Sequence, residues 1–286
     1  MNMPELPEVE TIRNDLNKVV LYKKIAGVEA DRKLVKSDYN SFLKILKGNG
    51  VRNIKRTGKL LIFALDEKNY LLVHLKMTGQ LIYASRKKIV AGGHDEPVLG
   101  EKLPNKFTRA TFKFSDGSML FFNDVRRFGY MKIVGKEELE KVAEGYGVEP
   151  LSKEFTLNRF KKIIEGKKGN IKQLLFNQEL IAGIGNIYAD EILFEARVRP
   201  QRKINTLKEL EVKMIFKAVS RVLKKAIKYR GTTFNDYRDA AGRQGNFRSR
   251  LRVYGRKGEE CGRCGGVIKK IRIGGRGTYY CDKCQR

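Results

Sequence analysis

Near its start the chain reads Met3-Pro4-Glu5-Leu6-Pro7-Glu8, a proline directly behind a methionine with two carboxylates close by. If Met3 is the initiator and is removed, Pro4 becomes a free secondary amine, a nucleophile that condenses with an aldehyde-level carbon to give an iminium. Glu5 stands directly beside it. A plainer reading makes Pro7 the first residue of a helix, with Glu8 and Glu10 in the first turn facing the positive end of its dipole. That reading does not account for Glu5, which precedes the turn.

The four cysteines form the second concentration of chemistry. They stand as Cys261-x2-Cys264 and Cys281-x2-Cys284, with sixteen residues between the pairs. Two turns that each present two thiolates close a tetrahedral zinc site, and an all-cysteine site is structural rather than catalytic. Two disulfides or a redox pair are the alternative. Without a secretory signal, the short paired spacings favour one zinc ion. A hairpin fits between the pairs, from Val267 to Ile273, through Gly274-Gly275, to Thr278-Tyr279-Tyr280. Arg276 near its tip, with Arg272 and Lys269-Lys270, suits contact with phosphate.

The elements that must position these groups are legible as changes of period. Val9, Ile12, Leu16, Val19 and Val20 recur at helical spacing and predict a helix from residue 7 to 20. From about 25 to 135 short apolar runs alternate with turn signals, as in Leu60 to Leu65, Tyr70 to Leu75, Ala110 to Phe114 and Met119 to Phe122. These predict a β-sandwich or flattened barrel. Residues 84–106 break the rhythm with glycine, proline and charge and are expected to form a long exposed loop. Residues 136–152 are polar and end in Gly145, Gly147 and Pro150, as a linker would. Helical periods follow over 155–164, 171–176, 186–194 and 207–229. Gly183-Ile184-Gly185-Asn186-Ile187 opens one of these helices, with Asn186 as the expected N-cap and the free amides able to receive a phosphate. Lys167-Lys168-Gly169-Asn170 brings positive charge to the preceding helix. No repeat is evident at periods of about 20 to 50 residues.

The 286 residues carry 60 Lys and Arg against 32 Asp and Glu, a net charge of +28 spread along the chain. Such a surface attracts polyanions, nucleic acid above all, through counterion release. No apolar run of about 18 residues, signal-peptide core or lipidation motif is present, which favours a cytoplasmic protein over a membrane partner.

Pro4-Glu5-Leu6-Pro7-Glu8-Val9-Glu10, the β-rich first half, Gly183-Ile184-Gly185-Asn186-Ile187-Tyr188-Ala189-Asp190-Glu191 and the zinc hairpin with Gly275-Arg276-Gly277-Thr278-Tyr279-Tyr280-Cys281 together resemble bacterial formamidopyrimidine-DNA glycosylase. The resemblance spans essentially the whole chain. It implies an α+β multidomain fold: an N-terminal β-sandwich with a leading helix over 4–135, a linker over 136–152, a helix-two-turn-helix domain over 153–255 and a zinc hairpin over 256–286. It implies a monomeric, nucleoid-associated enzyme of base excision repair that removes oxidised purines, 8-oxoguanine and formamidopyrimidines, from duplex DNA and then cleaves the backbone as an abasic-site lyase. By the same resemblance Pro4 is the nucleophile, Glu5 the proton shuttle, Lys59 a phosphate contact that assists β-elimination, and Arg276 a phosphate contact for δ-elimination. Met77, Arg126 and Phe128 match the residues that fill the space left by the flipped nucleotide. Read alone, Met77 and Phe128 are core residues and Arg126 a partner of Asp124. His74, His94, Lys167 and Asn186 match further DNA-contacting positions, and the segment from Gly231 to Gly245 matches the loop that covers the everted base.

Two departures from the family pattern stand out, and the first bears on chemistry. The chain opens Met1-Asn2-Met3, and Pro4 in amide linkage has no basic nitrogen, so translation is expected to start at Met3. The family's usual Asp-Pro-Arg-Arg-Phe reads Asp124-Val125-Arg126-Arg127-Phe128 here, which alters loop stiffness more than chemistry. Two rivals remain at this level. One is the endonuclease VIII type, which prefers oxidised pyrimidines, usually has glycine where Leu6 stands and lacks the Met77, Arg126 and Phe128 set. The other is a non-catalytic zinc protein that binds damaged DNA.

Overall fold

The computed structural model describes residues 3–86, 89–93, 103–232 and 247–286. They fall into two compact units, Met1–Glu144 with Tyr229–Asn246, and Gly145–Lys228 with Phe247–Arg286. The fold is α+β, as expected.

The first unit opens with α1 (Leu6–Asn17), whose N-cap is Glu5. The helix starts one residue before the expected position and stops three short. Val19 and Val20 still send their amides back to the Leu16 carbonyl, so the apolar period runs on through a turn that Tyr22 ends at φ 62°. After β1 (Ile25–Ala30) comes α2 (Tyr39–Leu46), capped by the Asp38 carboxylate on the Ser41 amide at 2.8 Å. The strands β2 (Asn53–Thr57), β3 (Leu60–Ala64), β4 (Tyr70–His74), β5 (Gly79–Ala84), β6 (Ile89–Gly93), β7 (Thr108–Phe114), β8 (Met119–Asp124) and β9 (Tyr130–Val134) follow, and α3 (Lys136–Glu144) closes the segment.

The strands make two antiparallel sheets, ordered β1-β7-β8-β5-β6 and β2-β3-β4-β9. Phe63, Leu71 and Val73 of the second face Leu81, Phe112 and Leu120 of the first across one apolar core, the sandwich that the β pattern predicted. β3 reads as an uninterrupted apolar run because its first four residues are buried. Val9, Ile12 and Leu16 of α1 join the same core. Two expectations are amended. The predicted loop at 84–106 contains β6, paired to β5 from Gln80↔Gly93 to Ala84↔Ile89. The predicted linker begins with α3, a short helix in which Leu139, Val142 and Ala143 stand among charged residues and no residue is buried.

β4 pairs with β9 in one sheet, ending at His74↔Tyr130, and β5 pairs with β8 in the other, ending at Gly79↔Asp124. The connections 75–78 and 125–129 therefore cross between the sheets at the same end of the sandwich. Gly79 is held tightly there, since a Cβ would lie 2.4 Å from the Leu75 carbonyl oxygen.

The second unit contains α4 (Leu157–Ile164), α5 (Ile171–Leu175), α6 (Asn186–Glu195), α7 (Glu209–Lys228) and the hairpin β10 (Ile268–Ile273) and β11 (Arg276–Cys281). α6 is its axis, buried at every residue from Ile187 to Phe194 and packed against α7. Two of those residues are acidic. Glu191 directs its carboxylate to the backbone amides of Arg252, Val253 and Tyr254, at 2.9 to 3.0 Å, and so holds the strand of chain that leads into the zinc module. Burial pushes its pKa up, against those amide bonds. Glu191→Gln keeps the shape but presents an amide group to three N–H donors, and should cost about 2–4 kcal/mol of stability. Thermal unfolding would register this as a lowered Tm; an unchanged Tm would mean the three amides are satisfied some other way.

Candidate active site and nucleic-acid interface

At the head of α1 both Pro4 and Glu5 are buried. Glu8, one turn on, is more than a companion of the helix dipole. Its Oε2 accepts from the Glu5 amide at 2.9 Å, the reciprocal half of a capping box, while its Oε1 accepts from the Thr232 amide at 2.7 Å and hydroxyl at 3.1 Å. One carboxylate thus fixes both the backbone of Glu5 and the first residues of the segment expected to cover a flipped base. Gly231, at φ 80°, permits the approach, because a Cβ there would sit 2.6 Å from Glu8 Oε1. Arg230 adds a second tie to α1 through the Asp15 carboxylate. Residues 233–246 of that segment lie outside the described residues, as does His94.

Lys59 sits in the two-residue turn of the β2–β3 hairpin, between the paired Thr57 and Leu60. Gly58 at φ 56° supplies the positive φ that such a turn needs at its first central residue. Leu60 pairs in turn with His74, so the lysine and the histidine are neighbours at one sheet end. The Lys76 amide donates to His74 Nδ1 at 3.0 Å, which leaves the proton on Nε2. Burial, followed by the charges of Lys76 and Lys59, lowers the His74 pKa to about 3. His74 is therefore a neutral N–H donor set between cations, suited to a phosphate oxygen that those cations attract.

The two sheet-crossing connections bring together the three residues expected to fill a void. Arg126 Nη1 lies 3.3 Å from Met77 Sδ, and its guanidinium stands 4.6 Å over the Phe128 ring, which is half exposed. Asp124 holds this set without touching the guanidinium. Its Oδ1 accepts from the Thr78 hydroxyl and, at 3.2 Å, from the Arg126 amide, and its Oδ2 accepts from the Gly129 amide at 2.7 Å. Arg127 at φ 56° completes the turn. A Cβ on Gly129 would meet Phe122 Cζ at 2.6 Å and Asp124 Oδ2 at 3.0 Å. The pairing of Asp124 with Arg126 that the sequence suggests is thus real but backbone-mediated, which frees the guanidinium for the surface.

In the second unit Arg276 follows the two-residue turn Gly274-Gly275, both at positive φ, and its side chain is exposed at the head of β11. The N-cap of α6 is Gly185 and not Asn186, a correction to the expectation. As the first helical residue Asn186 points its amide at the hairpin, donating to the Gly277 carbonyl at 3.0 Å and lying 3.4 Å from the Tyr254 hydroxyl. The hairpin has further anchors that the sequence does not announce. Lys172, fully buried, donates to Thr278 Oγ1 at 2.7 Å and pairs with Asp190 at 2.8 Å, and Asp190 accepts from the Tyr279 amide at 2.8 Å. Burial drives the Asp190 pKa up, opposed by Lys172 and that amide. Two acids inside an apolar helix are the one sequence signal that could have found this cluster. Lys167 is exposed in the turn between α4 and α5.

The four cysteine Sγ atoms lie within 4.8 Å of one another, with Cys261–Cys284 at 3.7 Å and Cys264–Cys281 at 3.6 Å. Zinc–sulfur bonds of about 2.3 Å in a tetrahedron require sulfur pairs about 3.8 Å apart, so the thiolates fit the ion. Among the described residues no helix is long and apolar enough to cross a membrane.

Residues 3–131 match the formamidopyrimidine-DNA glycosylase N-terminal domain, residues 146–238 the H2TH domain of that enzyme, and residues 258–286 the zinc finger found in FPG and IleRS. The chain is 39% identical over 288 residues to formamidopyrimidine-DNA glycosylase of Pelotomaculum thermopropionicum, covering 99% of each. It is 40% identical over 286 residues to that of Carboxydothermus hydrogenoformans, covering 99% and 100%. The Lactococcus lactis Fpg in complex with abasic-site DNA superposes with a TM-score of 0.86 at 33% identity, with 99% of each chain covered. A complex of the same Fpg with Fapy-dG DNA gives 0.85 at 33% identity, with 99% and 100% covered. The match extends to the module that binds zinc, and one structural zinc ion is held by Cys261, Cys264, Cys281 and Cys284.

Two outcomes are expected from the geometry. His74, held neutral, should show no NMR titration between pH 7.5 and 5. The unfolded chain binds that proton below about 6.5, so the histidine's contribution to stability is complete above 6.5 and is lost as pH falls toward about 3. A ring midpoint near 6.5 would contradict the buried tautomer. Asp124→Ala should cost about 3 kcal/mol and expose the amides of Arg126 and Gly129 to rapid hydrogen exchange. Retained protection would assign the loop's shape to other contacts.

Proposed function

This chain belongs to the formamidopyrimidine-DNA glycosylase family and is a DNA glycosylase; from that footing we propose that it excises oxidised purines, 8-oxoguanine and formamidopyrimidines, from duplex DNA and then cleaves the backbone by β,δ-elimination. The Pro4 nitrogen attacks the sugar C1′ and the bond from C1′ to the base breaks. Glu5, as its acid, protonates the opening ring oxygen, and the nitrogen's proton passes to the departing base, which gives the iminium and a neutral leaving group. The iminium acidifies the C2′ proton. Its removal expels the 3′ phosphate, a second elimination expels the 5′ phosphate, and water releases the proline. Lys59 and the neutral His74 bind phosphate on the first unit, and Arg276, Lys167 and Asn186 bind it on the second. Zinc takes no part in these steps and shapes the hairpin that carries Arg276.

The observation that carries the reading is the contact set of Met77, Arg126 and Phe128. An aromatic ring half exposed beneath a guanidinium, with a methionine beside it, has little reason to stand at a sheet end except to enter a duplex. Flipping a nucleotide leaves a hole, and these side chains supply apolar surface to fill it and a donor fork for the opposite base. The protein would act on chromosomal DNA in the cytoplasm as a monomer.

The mechanism requires a free Pro4 amine, so the active protein must begin at Pro4. Borohydride reduction with an 8-oxoguanine:cytosine duplex should give a covalent adduct that maps to Pro4, in protein whose intact mass lacks Met1 to Met3. Pro4→Gly should lower its yield by about 100-fold or more. Full lyase activity in protein that retains Met3 would rule out the proline nucleophile. Preferential trapping on a thymine-glycol duplex would move the substrate to oxidised pyrimidines.

A further inference from the structure

We infer that Arg56 is a positioning residue that ties the helix directly behind Pro4 and its N-cap Glu5 to the turn bearing Lys59, with Glu10 as its counterion. The inference rests on the roles proposed for Pro4 and Lys59.

β2 is an edge strand, where an arginine on a chain of net charge +28 would ordinarily extend into water. The Arg56 side chain is instead only 9% exposed. Its guanidinium is engaged on two sides, donating from Nε to Glu10 Oε2 at 3.0 Å and from Nη1 to the Gly58 carbonyl at 2.8 Å. Glu10 also receives Arg13 at 2.5 Å, so one carboxylate faces two guanidiniums. Burial pulls the Glu10 pKa upward, but the hydrogen bonds and charges of Arg13 and Arg56 outweigh it and hold the carboxyl below its ordinary value. Glu10 stays ionised as the fixed point of the brace.

Both ends of the brace matter chemically. Glu10 lies in α1 about 7.5 Å along the axis from Glu5, at 1.5 Å per residue, and a helix transmits position over that distance rigidly. At the other end, the Gly58 carbonyl belongs to the peptide plane that carries the Lys59 nitrogen. Two-residue turns with a positive-φ glycine can rotate that plane, and rotation would swing the lysine off the sheet end it shares with His74. A hydrogen bond to the Gly58 oxygen opposes the rotation. α1 has a separate tie to β2, because the Asn17 side chain accepts from the Ile54 amide at 3.2 Å and donates to its carbonyl at 3.1 Å. That tie completes the edge like a strand partner and remains when Arg56 is changed, so substitution should loosen the turn and leave the fold.

The test is a double-mutant cycle on single-turnover cleavage of an abasic-site duplex, with Tm and zinc content measured for each variant. Arg56→Gln should slow cleavage about 10-fold in otherwise native protein and less than about 2-fold in a Lys59→Ala background, because its effect passes through Lys59. Arg56→Lys, whose ammonium lacks the planar fork that reaches Glu10 and Gly58 together, should recover only part of the rate. Glu10→Gln, which keeps the bond to Gly58, should slow cleavage about 3-fold with the same dependence on Lys59. A 10-fold penalty that persists without Lys59, or an Arg56→Gln enzyme as fast as native, overturns the inference while leaving the proposed function intact. A Lys59→Ala enzyme with native cleavage removes the role of Lys59 and the inference with it.

Discussion

Asp124 has no solvent contact and commits its two oxygens to the amides of Arg126 and Gly129 and the hydroxyl of Thr78. The same interaction, a buried carboxylate satisfied by backbone N–H groups, recurs at several other places in this protein. Glu8 holds the amides of Glu5 and Thr232, Glu191 those of residues 252–254, and Asp190 that of Tyr279. The cost of burying each charge is offset by several short hydrogen bonds to groups that would otherwise lose water themselves. Because the donors are backbone amides, the loop is fixed in shape while its side chains stay free. That division is what the interface requires. Arg126 is anchored through its amide, and its guanidinium remains on the surface over Phe128.

Electrostatics gives this arrangement its purpose. A chain of net charge +28 draws DNA from a distance, and its loops repel one another in the absence of DNA. Tethering cationic loops by arginine or lysine side chains would consume the charges that phosphate needs. Carboxylates paired with amides avoid this at Asp124, Glu8 and Glu191, whereas Arg230 and Arg56 are spent on ties to α1. His74 obeys the same constraint: neutral, with its tautomer set by the Lys76 amide, it adds a donor among lysines without adding a charge. Lys172 is the converse, a fully buried cation beside Asp190 and Thr278 that supports the hairpin and cannot reach a ligand.

Much of the chemistry was legible in the residues. The cysteine spacing carried the zinc site because two close pairs on opposite sides of a hairpin can converge in only one way. α1 and the buried strands β3 and β4 were visible because burial imposes a period or an apolar run. Two elements escaped: α3, with no buried residue, read as linker, and β6 lay hidden in a glycine-rich stretch. The end of α1 was overestimated because Val19 and Val20 remain buried or half buried in a turn, and burial alone does not distinguish turn from helix.

By itself the sequence determined which groups exist and which local structures they favour: a proline and two glutamates at a helix start, four thiolates two by two, glycines where turns need positive φ, and a surplus of cations. It did not determine which distant residues meet. Met77 and Arg126 are neighbours only because two connections cross between the sheets at one end of the sandwich, and Asp124 faces Thr78 only because β8 pairs with β5 there. Whether a glutamate serves the helix dipole or clasps Thr232, and whether an arginine on an edge strand is solvated or reaches Glu10 and Gly58, depends on what the fold places within 3 Å of it. Local propensity acts over a few residues and can be read along the chain. A hydrogen bond between residues far apart in sequence is decided by register and sheet order, which exist only after the chain has folded.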